Sequence, residues 1–242
     1  MIDVNKVTVS YEATKEVLNK ISFHIKAGEN VALVGANGTG KSSLLSVLMG
    51  ILPYHIGNIQ IDGIPLQKKY YDEIRKRMGL LFQNPDDQLF QANVYDDIAF
   101  APRNYGVPED EIRRRAVDIV CQLGREDLLN KSTFKISGGE KRMVALAGLL
   151  SMNPEILLMD EPTSFLDPRA RRHFIECTKK LSQTKLIATH DLDMALDLCP
   201  RVIILHNKSI VVDGLASEIL MDEELLQTYG LELPLSLSHK WN

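Results

Sequence analysis

Eight residues constrain this chain more than any others: Gly35–Ser42, GANGTGKS, which match the pattern G-x-x-x-x-G-K-[ST]. They join the strand-like run VALVG to the helical run SLLSVLMG, so the loop lies between a strand and a helix. A loop of this kind wraps phosphate. Gly35, Gly38 and Gly40 let the backbone turn tightly and aim amide N–H groups at phosphate oxygens, and the dipole of the following helix reinforces them. Lys41 is placed to reach β and γ phosphates, and Ser42 offers a hydroxyl to Mg2+, a cation that prefers oxygen donors. Ala36, Asn37, Thr39 and Ser43 complete the candidate phosphate-binding stretch.

At 242 residues the chain can bury a substantial core, and its 45% hydrophobic and 25% charged residues exclude a disordered, collagen-like or coiled-coil chain. The formal charge of -4 provides no global field to attract nucleic acid. Cys121, Cys177 and Cys199 form no CxxC pair and fit a reduced, cytosolic setting. No apolar run approaches the roughly 18 residues of a membrane span. Charges near the N-terminus stand where a signal peptide would be apolar, so export by that route is not expected.

Short β-branched runs alternate with helical patterns, the mark of an α/β chain whose parallel strands are joined by crossover helices. KVTVS and KISFHI alternate with period two and read as antiparallel, half-exposed strands, whereas VALVG and ILLMD are continuous apolar runs suited to strands covered on both faces. Between Gln83 and Asn153 strand signals disappear. PEDEIRRRAVDIVCQLG and GGEKRMVALAGLLSM have helical spacing, which predicts a helical insertion over about 84–153. Strands return at ILLMD, KLIATH and RVIIL, with KSIVVDG as an edge strand or hairpin arm, and the tail 229–242 shows no clear periodicity.

Two further constellations carry chemistry. In PEILLMDEP an apolar strand ends in Asp160, which can hold Mg2+, and Glu161, which points the opposite way and can act as general base toward an attacking water. In KISGGEKRMVALAGLL, Ser137 is placed to cap a helix while Gly138 and Gly139 permit close approach to a ligand. A helix N-terminus facing a nucleotide held by a second subunit would use all three.

From about Val4 to Gly214 these motifs resemble the ATP-binding cassette (ABC) family, in that family's order. GANGTGKS is similar to its phosphate loop, Gln83 to its Q-loop glutamine, SGGEK to its signature, ILLMDEP to its second nucleotide motif, SFLD ending at Asp167 to its D-loop, and His190 in LIATHD to its switch histidine. The resemblance implies a single ABC ATPase domain over 1–242. Its fold would be α/β: a P-loop NTPase (RecA-like) core with an antiparallel β subdomain and an inserted α-helical signature subdomain. It implies that two cassettes, a homodimer by preference, sandwich ATP between the phosphate loop of one and Ser137, Gly138, Gly139 and Glu140 of the other, with Asp167 at the same junction. It further implies Glu161, His190 and Gln83 as catalytic residues, Ser42, Gln83 and Asp160 around Mg2+, and Tyr11 as the aromatic that stacks on adenine.

The segment FQNPDDQLFQANVYDDIAF, with GGEKRMVALAG and THDLDMALDLCPRVIILH, resembles energy-coupling factor ATPases, particularly cobalt-transporter ATP-binding subunits. Membership of that group implies a peripheral ATPase at the cytoplasmic face of the cell membrane. Its partners would be a transmembrane scaffold protein and a substrate-binding membrane protein for cobalt, nickel, biotin or a vitamin, with no nucleic acid expected. Asp86, Asp87, Leu89 and Phe90 would receive basic, amphipathic helices of the scaffold. Ile136 replaces the usual leucine of the signature, Glu140 a common glutamine and Ser43 a common threonine; no catalytic group is lost. A soluble ABC ATPase working on nucleic acid or ribosomes is the competing class.

Overall fold

In-register parallel strands bring the ends of several sequence-distant segments to one edge of a sheet. The computed structural model describes residues 1–11 and 16–238. In chain order the elements begin with β1 (Ile2–Ser10), β2 (Glu16–Ile25), β3 (Asn30–Val34), α1 (Lys41–Leu48), β4 (Ile56–Ile61), β5 (Ile64–Pro65), α2 (Tyr71–Arg77) and β6 (Met78–Leu81). The helices α3 (Val94–Asn104), α4 (Glu109–Gln122) and α5 (Gly138–Leu150) follow, then β7 (Ile156–Asp160), α6 (Pro168–Lys179), β8 (Thr184–Thr189) and α7 (Leu192–Leu198). The chain continues through β9 (Arg201–His206), β10 (Ser209–Leu215), α8 (Ala216–Ile219) and α9 (Glu223–Thr228). The last four residues of the tail, 239–242, lie outside the described residues.

The larger sheet has the order β10-β9-β3-β8-β7-β6, with every pairing parallel except the antiparallel β9–β10 edge. Val34 is opposite Thr189 and Asp160 opposite Ala188, so β3, β7 and β8 end side by side. The connection from β8 passes β3 to reach β9 on its other side, and in open parallel sheets the region beyond the carboxyl ends of the strands is where ligands bind.

The smaller sheet, β2-β1-β4-β5, is antiparallel. In β1 the residues Ile2, Val4, Val7 and Val9 are buried, and a register shift between Val4 and Val7, with Lys6 at φ 50°, keeps the apolar set on one side of a bulge. β4 and β5 close over Asp62 and Gly63, at φ 51° and 75°, the pair of left-handed residues that a tight hairpin turn requires.

Alternate residues of β3 serve two hydrophobic layers. Val31 and Leu33 pack with β1, β2, β4 and the apolar face of α1, whereas Ala32 and Val34 pack with α5, α6 and α7. Between β6 and β7 the described chain has helices and turns, and its Val94, Ile98, Ala116, Val120 and Leu146 join the second layer. The helical segment thus shares a core with the sheet it interrupts.

Candidate functional site

Gly35 follows β3 where side-chain volume is impossible: a Cβ there would lie 2.3 Å from the Leu205 carbonyl oxygen. Gly40, at φ 108°, would place a Cβ 2.7 Å from Leu18 Cδ2 and 3.1 Å from the Val17 carbonyl oxygen. These glycines let the loop pass against β9 and β2 and enter α1. Thr39 Oγ1 donates to the Ala36 carbonyl at 2.9 Å, tightening the turn.

Lys41 is buried, and its Nζ donates to the carbonyls of Gly35 at 2.7 Å and Ala36 at 3.2 Å. Burial pushes its pKa down, opposed by Glu161 and Asp160 nearby. Glu161 Oε1 is 4.0 Å from that ammonium, while Glu161 Oε2 lies 2.8 Å from His190 Nδ1 and accepts from the His190 backbone N–H at 3.2 Å. Glu161 has φ 45°, a left-handed backbone rare for a residue with a side chain, and its N–H donates to the Ala188 carbonyl at 2.8 Å.

Asp160, the last residue of β7, has a carboxylate whose Oδ1 is buried without a hydrogen-bond partner. Burial raises its pKa, against a hydrogen bond from Ser42 and the charges of Lys41 and Arg142. An orphaned anionic oxygen beside a serine hydroxyl fits a hard divalent cation, and Gln83 lines the same cavity as Ser42 and offers a further oxygen donor. No cluster of three or more His, Cys, Asp or Glu suited to a metal occurs among the described residues, so any Mg2+ held here would rely on these few donors together with phosphate and water.

The structure brings Tyr11, the phosphate loop, Gln83, Glu161 and His190 around one cavity of about 870 Å³. The Tyr11 hydroxyl shares a hydrogen bond of 2.9 Å with Ser43 Oγ, and the ring is largely exposed at the cavity rim. Asn37, Gly38 and Ser42 also line this space, and Ala36 lines the adjoining one.

Ser137, Gly139, Glu140 and Asp167 are elsewhere, around a separate cavity of about 520 Å³ that no phosphate-loop residue lines. Ser137 caps α5 and exchanges bonds with Glu140: Glu140 N–H donates to Ser137 Oγ at 3.2 Å, and Ser137 N–H donates to Glu140 Oε2 at 2.7 Å. The Ser137 N–H holds the Glu140 carboxyl below its usual range, and Arg125 and Lys131, at 2.7 and 3.3 Å, assist. Glu140 therefore braces the capped turn. Gly139 would place a Cβ 2.9 Å from Ala170 Cβ, whereas nothing lies within 4 Å of one at Gly138. Asp167 caps α6 by accepting from the Arg169 and Ala170 N–H groups at 2.9 Å.

Residues not singled out by the sequence tie these regions together. Arg142 of α5 is 1% exposed and donates to the carbonyls of Phe82, at 2.5 Å, and Gln83. Burial lowers its pKa to about 10, with Asp160 opposing. Gln88 receives the Phe82 N–H at 3.3 Å and donates to the Ala145 carbonyl at 3.2 Å. Asp191 takes two bonds of 2.7 Å from Arg171 and one of 2.9 Å from Thr163 Oγ1, joining the turn after Glu161 to the start of α7. The available signal was a cation set among apolar positions in KRMVALAG and an Asp directly before a helix.

Comparison with known proteins gives concordant results. Residues 18–164 match the family model described as ABC transporter. A putative ABC transporter ATP-binding protein of Geobacter sulfurreducens is 45% identical over 237 residues, which are 98% of this chain and 95% of that protein. The energy-coupling factor transporter ATP-binding protein EcfA of Methanothermobacter thermautotrophicus is 38% identical, over 97% of this chain and 77% of its own. Among solved structures, cbiO1 from Clostridium perfringens, described as part of the ABC transporter complex cbiONQ, superposes with a TM-score of 0.85 at 36% identity, covering 96% of this chain and 95% of that one. A dimeric ATP-binding cassette in a post-hydrolysis state, bound to ADP and Pi, superposes with a TM-score of 0.80 at 26% identity, covering 89% and 99%.

Proposed function

The chain belongs to the ABC transporter family as an ATP-binding, ATP-hydrolysing subunit, and from that premise we propose that it energises an importer of the energy-coupling factor type. No helix among the described residues is long and apolar enough to cross a membrane. In this reading the passage for cargo belongs to partner proteins. The partners are a transmembrane scaffold and a substrate-binding membrane protein, with the ATPase held peripherally at the cytoplasmic face. The cargo is a micronutrient, with cobalt first and nickel, biotin or a vitamin as the other members of the class.

The observation that carries the reading is the separation of two half-sites: Lys41, Ser42, Gln83, Glu161 and His190 share one cavity, and Ser137, Gly139 and Asp167 share another. One chain does not close both around a single nucleotide. Two chains do so if each phosphate loop meets the partner's capped α5, whose free N–H groups and dipole favour a γ-phosphate. The dimeric cassette with ADP and Pi and the likeness to EcfA and cbiO1 support this pairing and the importer type.

Within each site Lys41 neutralises the β and γ phosphates, and Glu161 accepts the proton of the attacking water. His190, sharing Glu161 Oε2, orients that carboxylate and donates toward the γ-phosphate. Mg2+, held by Ser42, Asp160 and Gln83, would supply charge neutralisation on the phosphates. Gln83 is anchored to α5 through Arg142, so a displacement of α5 on dimer closure reaches the segment 84–90, where Asp86, Asp87, Leu89 and Phe90 would meet the scaffold.

Affinity purification of the tagged chain from mildly solubilised membranes, with mass identification of what accompanies it, tests the assignment. Recovery of a hydrophobic scaffold and a small substrate-binding membrane protein is expected. Recovery of ribosomes, nucleic acid or the chain alone would overturn it in favour of a soluble ATPase.

A further inference from the structure

We propose that Ser43 positions Tyr11 as the platform for the base: the hydrogen bond of 2.9 Å between Tyr11 Oη and Ser43 Oγ holds the ring at the rim of the nucleotide cavity in the orientation that receives adenine. The inference rests on the ATPase reading above, with the Tyr11 ring stacked on the base, and specifies what keeps that ring in place.

The two ends of the tyrosine stand on different elements. Its backbone directly follows β1, whose last residue Ser10 pairs with Glu16 of β2 and whose Thr8 carbonyl accepts the His55 N–H at 3.1 Å. Ser43 is the third residue of α1 and is 7% exposed. Val9 of β1 and Leu44 of α1 are fully buried in one hydrophobic layer, so both attachment points are fixed by packing. The tyrosine therefore spans from the antiparallel sheet to the helix that begins at the phosphate loop.

Little else restrains the ring. It is 58% exposed and belongs to neither hydrophobic layer. Among the described residues its side chain makes one hydrogen bond, the bond to Ser43. A ring without that bond would give up its rotamer freedom only on binding, at the expense of affinity. Stacking alone does not call for the hydroxyl, since a phenyl ring presents the same face. The contact with Ser43 gives the hydroxyl its use.

Ser43 can hold the ring and still meet the ligand. A serine hydroxyl accepts through its lone pairs while donating its own hydrogen. With Tyr11 Oη as donor, the Ser43 hydrogen stays available to a phosphate oxygen, and Ser43 lines the same cavity as Gly38, Lys41 and Ser42. One hydroxyl in the first turn of α1 thus ties the base platform to the phosphate loop and fixes their separation. A ligand with both a base and a phosphate chain uses the platform and the loop, whereas a bare phosphate chain uses the loop alone.

Calorimetric titration of the full chain with two probes tests this: Mg-ADP, which carries base and phosphates without turnover, and magnesium pyrophosphate, which has no base. Tyr11→Phe keeps the ring and removes only the hydroxyl. It is expected to weaken Mg-ADP binding about three- to tenfold and pyrophosphate binding less than about twofold. In a Ser43→Ala background the same Tyr11→Phe change is expected to weaken Mg-ADP binding less than about twofold, and in a Ser43→Thr background, which keeps a hydroxyl, its full effect returns. Equal Mg-ADP affinity of native and Tyr11→Phe chains overturns the inference alone, provided Tyr11→Ala weakens binding. An undiminished Tyr11→Phe effect without the Ser43 hydroxyl, or an equal loss for pyrophosphate, overturns it as well. Unchanged Mg-ADP affinity in Tyr11→Ala overturns the stacking reading itself and the inference with it.

Discussion

His190 Nδ1 lies 2.8 Å from Glu161 Oε2, and that carboxylate also accepts the His190 backbone N–H at 3.2 Å. The two residues come from the ends of neighbouring strands, β8 and β7, and the contact exists because the strands run parallel in register. Glu161 is buried while His190 is 61% exposed at its side chain, so the inner face of the histidine meets the carboxylate and its outer face is open, as the proposed contact with a γ-phosphate requires.

Glu161→Gln keeps the size and most hydrogen bonds of the side chain but removes its basicity. ATP affinity measured with a fluorescent analogue should stay within about threefold, whereas turnover should fall about 10²–10⁴-fold. Undiminished hydrolysis would remove Glu161 from the role of base.

The adjacent glycines of the capped helix separate packing from ligand approach. Gly139→Ala forces a methyl against Ala170 Cβ at 2.9 Å and should destabilise the fold by about 1–3 kcal/mol. Gly138→Ala meets open space and should leave urea denaturation midpoints unchanged or slightly raised, while lowering ATP hydrolysis in the assembled transporter. Equal stability losses at both positions would contradict the separation.

Arg142→Met retains an apolar stem but leaves the Phe82 and Gln83 carbonyls without their buried donor. A loss of about 1–3 kcal/mol in urea unfolding is expected. Hydrogen exchange should rise around residues 82–88 before it rises in β3, because the segment loses its tie to α5.

Asp191 yields a pH dependence. Burial raises its pKa, but bonds from Arg171, the Met194 N–H and Thr163 outweigh that and hold it below its ordinary value. A depressed carboxyl pKa stabilises the fold above the unfolded value of about 3.9, and the contribution is lost as pH falls through the folded value. Chemical denaturation from pH 6 to pH 3 should therefore show a smaller acid loss in Asp191→Asn than in the native chain. An identical slope in both would exclude Asp191 as a contributor.

The phosphate loop, Asp160, Glu161 and the cap at Ser137 were legible because each is encoded within a few neighbouring residues, in strand-loop-helix or loop-helix order. The antiparallel pair β1–β2 and the edge strand β10 were legible from alternation, as the observed pairings show. Three strands were not. β6 is four buried residues, MGLL, which period alone does not distinguish from a helical fragment, and β4–β5 depends on an Asp62–Gly63 turn between runs too short to announce a sheet. Arg142 and Asp191 were hidden for a different reason: their partners Phe82, Gln83, Arg171 and Thr163 are distant in sequence, and only the folded core brings them together. The separation of Ser137 from Lys41 into different cavities is likewise a property of the fold, visible in neither motif.

The most direct test of the account is ATP hydrolysis by the chain purified with its membrane partners and reconstituted in lipid nanodiscs, with native and Glu161→Gln proteins side by side. The account predicts Mg2+-dependent phosphate release by the native assembly, reduced at least about a hundredfold by Glu161→Gln while the partners remain bound. Equal phosphate release by both, or no hydrolysis by an intact native assembly, would contradict it.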